Sequence, residues 1–178
     1  DWVCLPEVFD FMGGSFKDKQ AAAETIPGGP AYTMLQAQAR KHGIFIHAGS
    51  ILEKAQGEER LHNTSVAFNR DGKQVARYRK IHMFDITAPD GAKYHESAAM
   101  KPGDAVVTYD CEGITVGCAI CYDLRFGAPF MTLAPHTDLF VVVANWPASR
   151  REHWLTLLRA RAIENQAYVA GVNRVGEG

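Results

Sequence analysis

Cys121 has the clearest chemical setting in this sequence. It ends the apolar run Ile114 to Ile120 and precedes a predicted helix, in Gly117-Cys118-Ala119-Ile120-Cys121-Tyr122-Asp123-Leu124-Arg125-Phe126. A thiol at a sharp strand-to-helix turn faces a pocket, and a helix N-terminus lowers its pKa toward the reactive thiolate. The competing reading is an inert buried cysteine. A cysteine nucleophile needs a base to take its proton and a group to hold the oxyanion of its tetrahedral intermediate. Seven histidines are present, and none has flanking residues that single it out as that base. Two other ionisable residues stand at strand ends. Glu7 follows Leu5-Pro6, where a carboxylate at the carboxyl end of a strand faces a crevice. Lys80 closes the run Gln74 to Arg79 and opens a long loop. Each alone reads as a solvated surface charge, because Glu and Lys are rarely buried unless paired. Together with Cys121 they make a carboxylate, a cation and a thiol at three strand ends.

Cys118 and Cys121 also spell C-x-x-C, the spacing of a redox pair or half a zinc site. A redox pair stands at a helix start, whereas Cys118 lies inside a predicted strand, on the face of Ile114 and Val116. A zinc site needs two further ligands at short spacing, and no second C-x-x-C or H-x-x-x-H follows.

The elements that must position these residues alternate between strand and helix. Trp2 to Leu5 is a short strand stopped by Pro6. Gly28-Gly29-Pro30 turns into a helix that runs to His42 with Gly43 as its stop. Ile44 to Leu52 reads as one buried strand. Asn63 to Phe68 and Gln74 to Arg79 flank Asn69-Arg70-Asp71-Gly72, a hairpin signal, since Asp-Gly supplies the positive φ angles such turns need. Ile81 to Asp104, with Pro89, Gly91, Pro102 and Gly103, reads as a long irregular loop. Loops beyond about 12–15 residues are uncommon in compact domains and are usually functional. Ala105 to Tyr109 and Ile114 to Ile120 form a second strand pair. Leu124 to Ala134 is a helix that either tolerates Pro129 or starts at it. Asp138 to Ala144 is a strand covered on both faces, Arg151 to Ala167 an amphipathic helix with Trp154, Leu158 and Ala162 at four-residue spacing, and Tyr168 to Val172 a last buried strand. The class is α/β in layers.

Composition excludes several functions. The 178 residues carry 19 basic and 20 acidic side chains and no basic run that grips phosphate backbones, which argues against nucleic acid as a partner. The longest apolar stretches fall far below the roughly 18 residues of a membrane span. Four cysteines at 4, 111, 118 and 121 are too few and too scattered for a disulfide scaffold, so a reducing, cytoplasmic compartment is expected.

Three segments taken together resemble the signatures of the nitrilase, or carbon–nitrogen hydrolase, superfamily: Leu5-Pro6-Glu7, then Tyr78-Arg79-Lys80-Ile81-His82-Met83-Phe84-Asp85, then Gly117 to Phe126. Asn145-Trp146-Pro147 and Arg159 to Gln166 are similar to motifs that follow in that family, and the likeness runs through nearly the whole chain. The resemblance implies an αββα sandwich, here lacking its first strand-helix unit and C-terminal strands, so the single domain of residues 1–178 is expected to be incomplete at both ends. It implies a Glu-Lys-Cys triad with Glu7 as general base, Lys80 as cation and Cys121 as nucleophile, and needs no metal or organic cofactor. The thiolate attacks an amide carbon, Lys80 and the Tyr122 N–H hold the oxyanion, ammonia leaves a thioester, and Glu7 activates water to release the acid. Glu96, in Tyr94-His95-Glu96-Ser97, matches a second glutamate that positions substrate and water; a loop surface charge is its other reading. Asn145 and Trp146 line the pocket or serve packing. Arg125 contacts a helix or a neighbouring subunit, and Arg161 with Glu164 reads as a structural ion pair. The segments are most like the omega-amidase and Nit-type branches, whose substrates are monoamides of short dicarboxylates. N-carbamyl amino acids, simple aliphatic amides and nitriles remain as substrates of the same triad. A homodimer or higher homo-oligomer is implied as well. The rivals from other classes are a redox or zinc protein using Cys118 and Cys121, and a catalytically silent binding module.

Overall fold

The computed structural model describes residues 1–88 and 91–176, so Pro89 of the long loop and Glu177-Gly178 at the end lie outside the described residues. In chain order the elements are β1 (Trp2–Cys4), α1 (Phe16–Ala22), α2 (Pro30–His42), β2 (Phe45–His47), β3 (Ile51–Lys54), β4 (Leu61–Phe68), β5 (Gln74–Arg79), β6 (Asp85–Thr87), β7 (Lys93–His95), β8 (Thr108–Cys111), β9 (Ile114–Ile120), α3 (Gly127–Leu133), β10 (Leu139–Ala144), α4 (Arg151–Asn165) and β11 (Tyr168–Asn173).

Two sheets lie face to face, each with helices on its outer side. In the first, β1 pairs parallel with β2, and β4 pairs antiparallel with β2, β3 and β5. In the second, β9, β10 and β11 run parallel and β8 closes one edge antiparallel. Strands in parallel need crossovers, and α2, α3 and α4 supply them for β1–β2, β9–β10 and β10–β11. Ala67, Ala76 and Tyr78 of the first sheet meet Val116, Cys118, Ile120, Val141 and Val143 of the second in the central core. Tyr32, Leu35 and Ala39 of α2 cover the outer face of the first sheet, and Phe130 of α3 with Trp154 of α4 cover the second. The layers are therefore α, β, β, α. Between the sheets His47 bridges Tyr109 Oη at 3.1 Å and Ser65 Oγ at 3.0 Å, and full burial pushes its pKa down to about 4.

The helix expected from Pro30 to His42 is present with those ends, and Gly43 closes it at φ +59°. The hairpin around Asp71-Gly72 joins β4 and β5 as expected. Other elements differ. The strand expected from Ile44 to Leu52 is broken at Ala48–Ser50 into β2 and β3. Gly49 there sits at φ +58°, and a Cβ on it would stand 2.0 Å from the Pro6 carbonyl oxygen, so only glycine lets the two segments approach. The long loop contains the short β6–β7 hairpin and a 3-10 turn at Glu96–Ala98. The strand expected from Ala105 starts at Thr108. The helix expected from Leu124 begins at Gly127, which leaves Pro129 in its first turn, where its missing N–H is no loss. The last helix stops at Asn165, with Gln166 left-handed at φ 50°. The last strand is not buried: β11 is the edge of its sheet, and Tyr168 is 81 % exposed.

Candidate active site

Glu7, Cys121, Asn145 and Arg174 all follow the carboxyl ends of parallel strands, where α/β sheets open their crevices. The break at Gly49 shapes the first of these turns. Ser50 N donates to the Pro6 carbonyl at 3.3 Å, Ser50 Oγ accepts from Val8 N at 2.9 Å, and Phe9 N donates to the Ser50 carbonyl at 3.3 Å. Arg174 Nε fixes the Glu7 carbonyl at 3.0 Å and Nη2 the Phe11 carbonyl at 2.9 Å. Glu7 is thereby delivered to the interior and is 6 % exposed.

Lys80, buried at 2 % exposure, lies between two carboxylates. Its Nζ stands 3.2 Å from Glu7 Oε1 and 2.9 Å from each oxygen of Glu96. Asn63 Nδ2 donates to Glu7 Oε1 at 2.8 Å, and the backbone N–H of Asn145 donates to Oε2 at 2.8 Å. Phe84 N donates to Glu96 Oε2 at 2.6 Å, which ties the long loop into the cluster. Burial pushes the Lys80 ammonium down, but the charges of Glu7, Cys121 and Glu96 outweigh it, and the net shift is upward, so this amine stays protonated.

Cys121 adopts φ +47°, a left-handed conformation that a side chain rarely takes outside glycine. Asp123 holds the turn. Fully buried, its Oδ2 accepts from Ile120 N at 3.0 Å and Tyr78 Oη at 2.7 Å, and its Oδ1 from His82 N at 2.9 Å. His82 Nδ1 lies 2.9 Å from the same Oδ1, and its ring stacks on Phe126 at 3.8 Å between centroids. The Cys121 turn and the loop after Lys80 are thus one hydrogen-bonded unit. The Glu7 carboxylate, the Lys80 ammonium and the Asn145 backbone all act on the thiol. Its pKa is raised, not lowered: burial and the Glu7 charge push it well above its usual value, with Lys80 opposing. The expected helix start is absent at the thiol, because Cys121–Arg125 is a 3-10 turn and α3 begins only at Gly127. The resting group is a partly buried thiol in the field of a carboxylate and an ammonium.

The structure therefore brings Glu7, Lys80, Glu96 and Cys121 together. Asn145 joins them through its backbone. Tyr122 follows Cys121, with its ring against Phe84 and Phe126. The Trp146 indole is buried against Trp154, donates Nε1–H to the Arg150 carbonyl at 3.0 Å, and carries the Arg125 guanidinium 4.8 Å above it. Asn173 clamps the Trp146 backbone at both N and O. Arg161 pairs with Glu164, as a structural bridge should. Cys118 points into the core between the sheets and all four cysteines are free thiols. Among the described residues no group of three or more His, Cys, Asp and Glu is arranged to hold a metal ion. No helix among them is long and apolar enough to cross a membrane. Asn63, Asn173 and Arg174 carry no local signal that sets them apart, and Asp123 lies within the cysteine motif without one of its own.

A family model described as carbon-nitrogen hydrolase matches residues 1–178. The chain is 38 % identical over 174 residues to the human protein named omega-amidase NIT2, covering 94 % of this chain and 60 % of that one. It is 35 % identical over 170 residues to Schizosaccharomyces pombe hydrolase C26A3.11, covering 94 % and 52 %. Among solved structures, Saccharomyces cerevisiae Nit3, described as a member of branch 10 of the nitrilase superfamily, superposes with a TM-score of 0.85 at 30 % identity over 99 % of this chain and 63 % of that one. XC1258 from Xanthomonas campestris, described as a CN-hydrolase superfamily protein with an arsenic adduct in the active site, gives 0.82 at 33 % identity over 99 % and 64 %. The chain thus spans little more than half the length of these curated relatives.

Proposed function

The chain belongs to the carbon–nitrogen hydrolase family, and from that premise we propose that it hydrolyses a small amide to an acid and ammonia through a thioester on Cys121. The observation that carries this reading is the buried Lys80 ammonium held between Glu7 and Glu96, with both Glu7 and Lys80 acting on the Cys121 thiol. Glu7 takes the thiol proton as Sγ attacks the amide carbon. Lys80 Nζ and the Tyr122 N–H hold the oxyanion. The proton passes from Glu7 to the departing nitrogen, the C–N bond breaks and ammonia leaves. Glu7 then draws a proton from water as it attacks the thioester, and the thiol and the acid are released. Glu96 positions substrate and water, and Asn145 and Trp146 frame the pocket with Tyr122.

The substrate is a short aliphatic amide or a monoamide of a dicarboxylate. Relatives named omega-amidase support the second. So does Arg150: half-buried, it lies 5.9 Å from the Phe84 ring centre and has no acidic partner among the described residues, leaving a guanidinium able to take a carboxylate. A cytoplasmic location suits a catalytic thiol that must stay reduced. A homodimer or higher homo-oligomer belongs to the same reading, supported by exposed Ile163 and Tyr168.

Ammonia release from glutaramate-like monoamides, carbamyl amino acids and nitriles tests the proposal. Monoamides are expected to turn over fastest, and Cys121→Ala to lower the rate roughly a thousandfold or more. Activity that survives Cys121→Ala, or no ammonia from any of the three classes, would refute it.

A further inference from the structure

Among the described residues, Asn63 is the one that bonds to both members of the Glu7–Lys80 pair. Its Nδ2 donates to Glu7 Oε1 at 2.8 Å, and its backbone carbonyl accepts from Lys80 N at 2.9 Å. It is 3 % exposed on β4, and the bond to Glu7 is the only side-chain hydrogen bond it makes among the described residues. Glu7 therefore has two unlike oxygens. Oε1 accepts from Asn63 Nδ2 and from Lys80 Nζ. Oε2 accepts from a single donor among the described residues, the Asn145 N–H, at 2.8 Å. A carboxylate oxygen that already accepts two donors is a poorer site for a proton than one that accepts a single donor.

We infer that Asn63 is a positioning residue that keeps Oε1 closed to protons, so that the proton moving between Cys121 and the leaving nitrogen travels on Oε2. This rests on the reading of Glu7 as general base. The S–H proton goes to Oε2 as Sγ bonds to carbon, and Oε2 returns it as the C–N bond breaks, which leaves the balance unchanged. The charged and titratable groups facing Glu7 are Lys80 after β5, Glu96 beyond it in the long loop, Cys121 after β9 and Arg174 after β11. None of them lies on the strand that carries Asn63, so a substitution there alters Glu7 without removing another charge.

The test is Asn63→Leu, of similar shape and without the donor, beside Asn63→Asp, which places a second carboxylate against Oε1. In Asn63→Leu, kcat is expected to fall roughly tenfold or more, as loss of a hydrogen bond to a charged group does, with KM little changed. The acidic limb of its pH–rate profile moves to higher pH, and in Asn63→Asp it moves further, because like charges that close share a proton. The rate at which iodoacetamide alkylates Cys121, followed against pH, is the second readout and requires no amide substrate. It separates the two claims: a wild-type protein that releases no ammonia sinks the amidase reading, while an alkylation profile identical in wild type and Asn63→Asp sinks the role of Asn63. Loss of activity matched by loss of folded protein, with the pH profile of the remainder unmoved in both variants, would make Asn63 merely structural and overturn the inference.

Discussion

Glu7 and Glu53 are both buried, both side chains meet cations from the end of β5, and both accept three or more hydrogen bonds, yet their partners differ in kind. Glu53, 1 % exposed, is held by Arg77, by Arg79 and by Thr64 Oγ1 at 2.6 Å. Burial pushes its carboxyl up, but those bonds outweigh it and bring it down to about 2. Two guanidiniums that never release a proton lock it as an anion. Around Glu7 the arginines are replaced by one lysine, an amide, a backbone N–H and a thiol, and the thiol can give its proton away. On the proposed reading, what sets the Glu7 carboxylate apart is neither depth nor a cation but a neighbour able to exchange a proton, at a turn with a left-handed backbone. Cys121 supplies both features.

Exchanging the two carboxylates for amides separates these roles most strongly. Glu7→Gln removes the base and is expected to lower kcat roughly a thousandfold, as loss of a positioned acid–base group together with activation of the nucleophile would. Its urea midpoint stays near that of wild type, because Lys80 keeps Glu96. Glu53→Gln does the reverse: two arginines lose their counter-charge, unfolding free energy falls by about 3 kcal/mol, and activity per folded molecule persists. Equal effects of both changes on activity would erase the distinction.

Acid unfolding sharpens the comparison at an intermediate scale. His47 titrates at about 4 in the fold against 6.5 when free, so the unfolded chain takes the proton first and stability is lost as pH falls from 6.5 toward 4. Glu53 titrates at about 2 against 4.5, so its contribution is present above 4.5 and disappears as pH falls toward 2. Urea midpoints should drop in both windows for wild type and by less in the lower one for Glu53→Gln; a variant that still loses stability below pH 4.5 to the same extent as wild type would contradict the pairing.

The smallest effect is expected at the mouth of the site. Arg150→Met should raise KM for a dicarboxylate monoamide about tenfold, the scale of one charge-assisted hydrogen bond, and leave kcat and an uncharged aliphatic amide unaffected. A uniform change across both substrates would place Arg150 outside the pocket.

What the sequence made legible was whatever carries its own local punctuation. Gly29-Pro30 and Gly43 bracket α2, Asp71-Gly72 turns the β4–β5 hairpin, and Cys121 stands at the end of an apolar strand. Glu7 and Lys80 each read as surface charges until the three motifs were taken together, because a single chain position says nothing about what lies opposite it. The partners that complete the site are far away along the chain: Asn63 is 56 residues from Glu7, and Arg174 is 167. Asp123 sits within the cysteine motif, but its role depends on Tyr78 and His82 from another sheet and loop. The break in the β2–β3 strand did have a signal, a Gly-Ser pair inside an apolar run, of the kind that marks a bulge or a close backbone approach. The direction of the thiol's shift had none, since it depends on where a helix starts and on a carboxylate from the other sheet.

Rapid mixing of the protein with a monoamide, acid quench and mass measurement of the Cys121 peptide tests the central claim most directly. An acyl group on Cys121, cleavable by hydroxylamine, is expected to form as ammonia is released and to be absent in Cys121→Ala. Ammonia released at the wild-type rate with Cys121 unmodified throughout would contradict it.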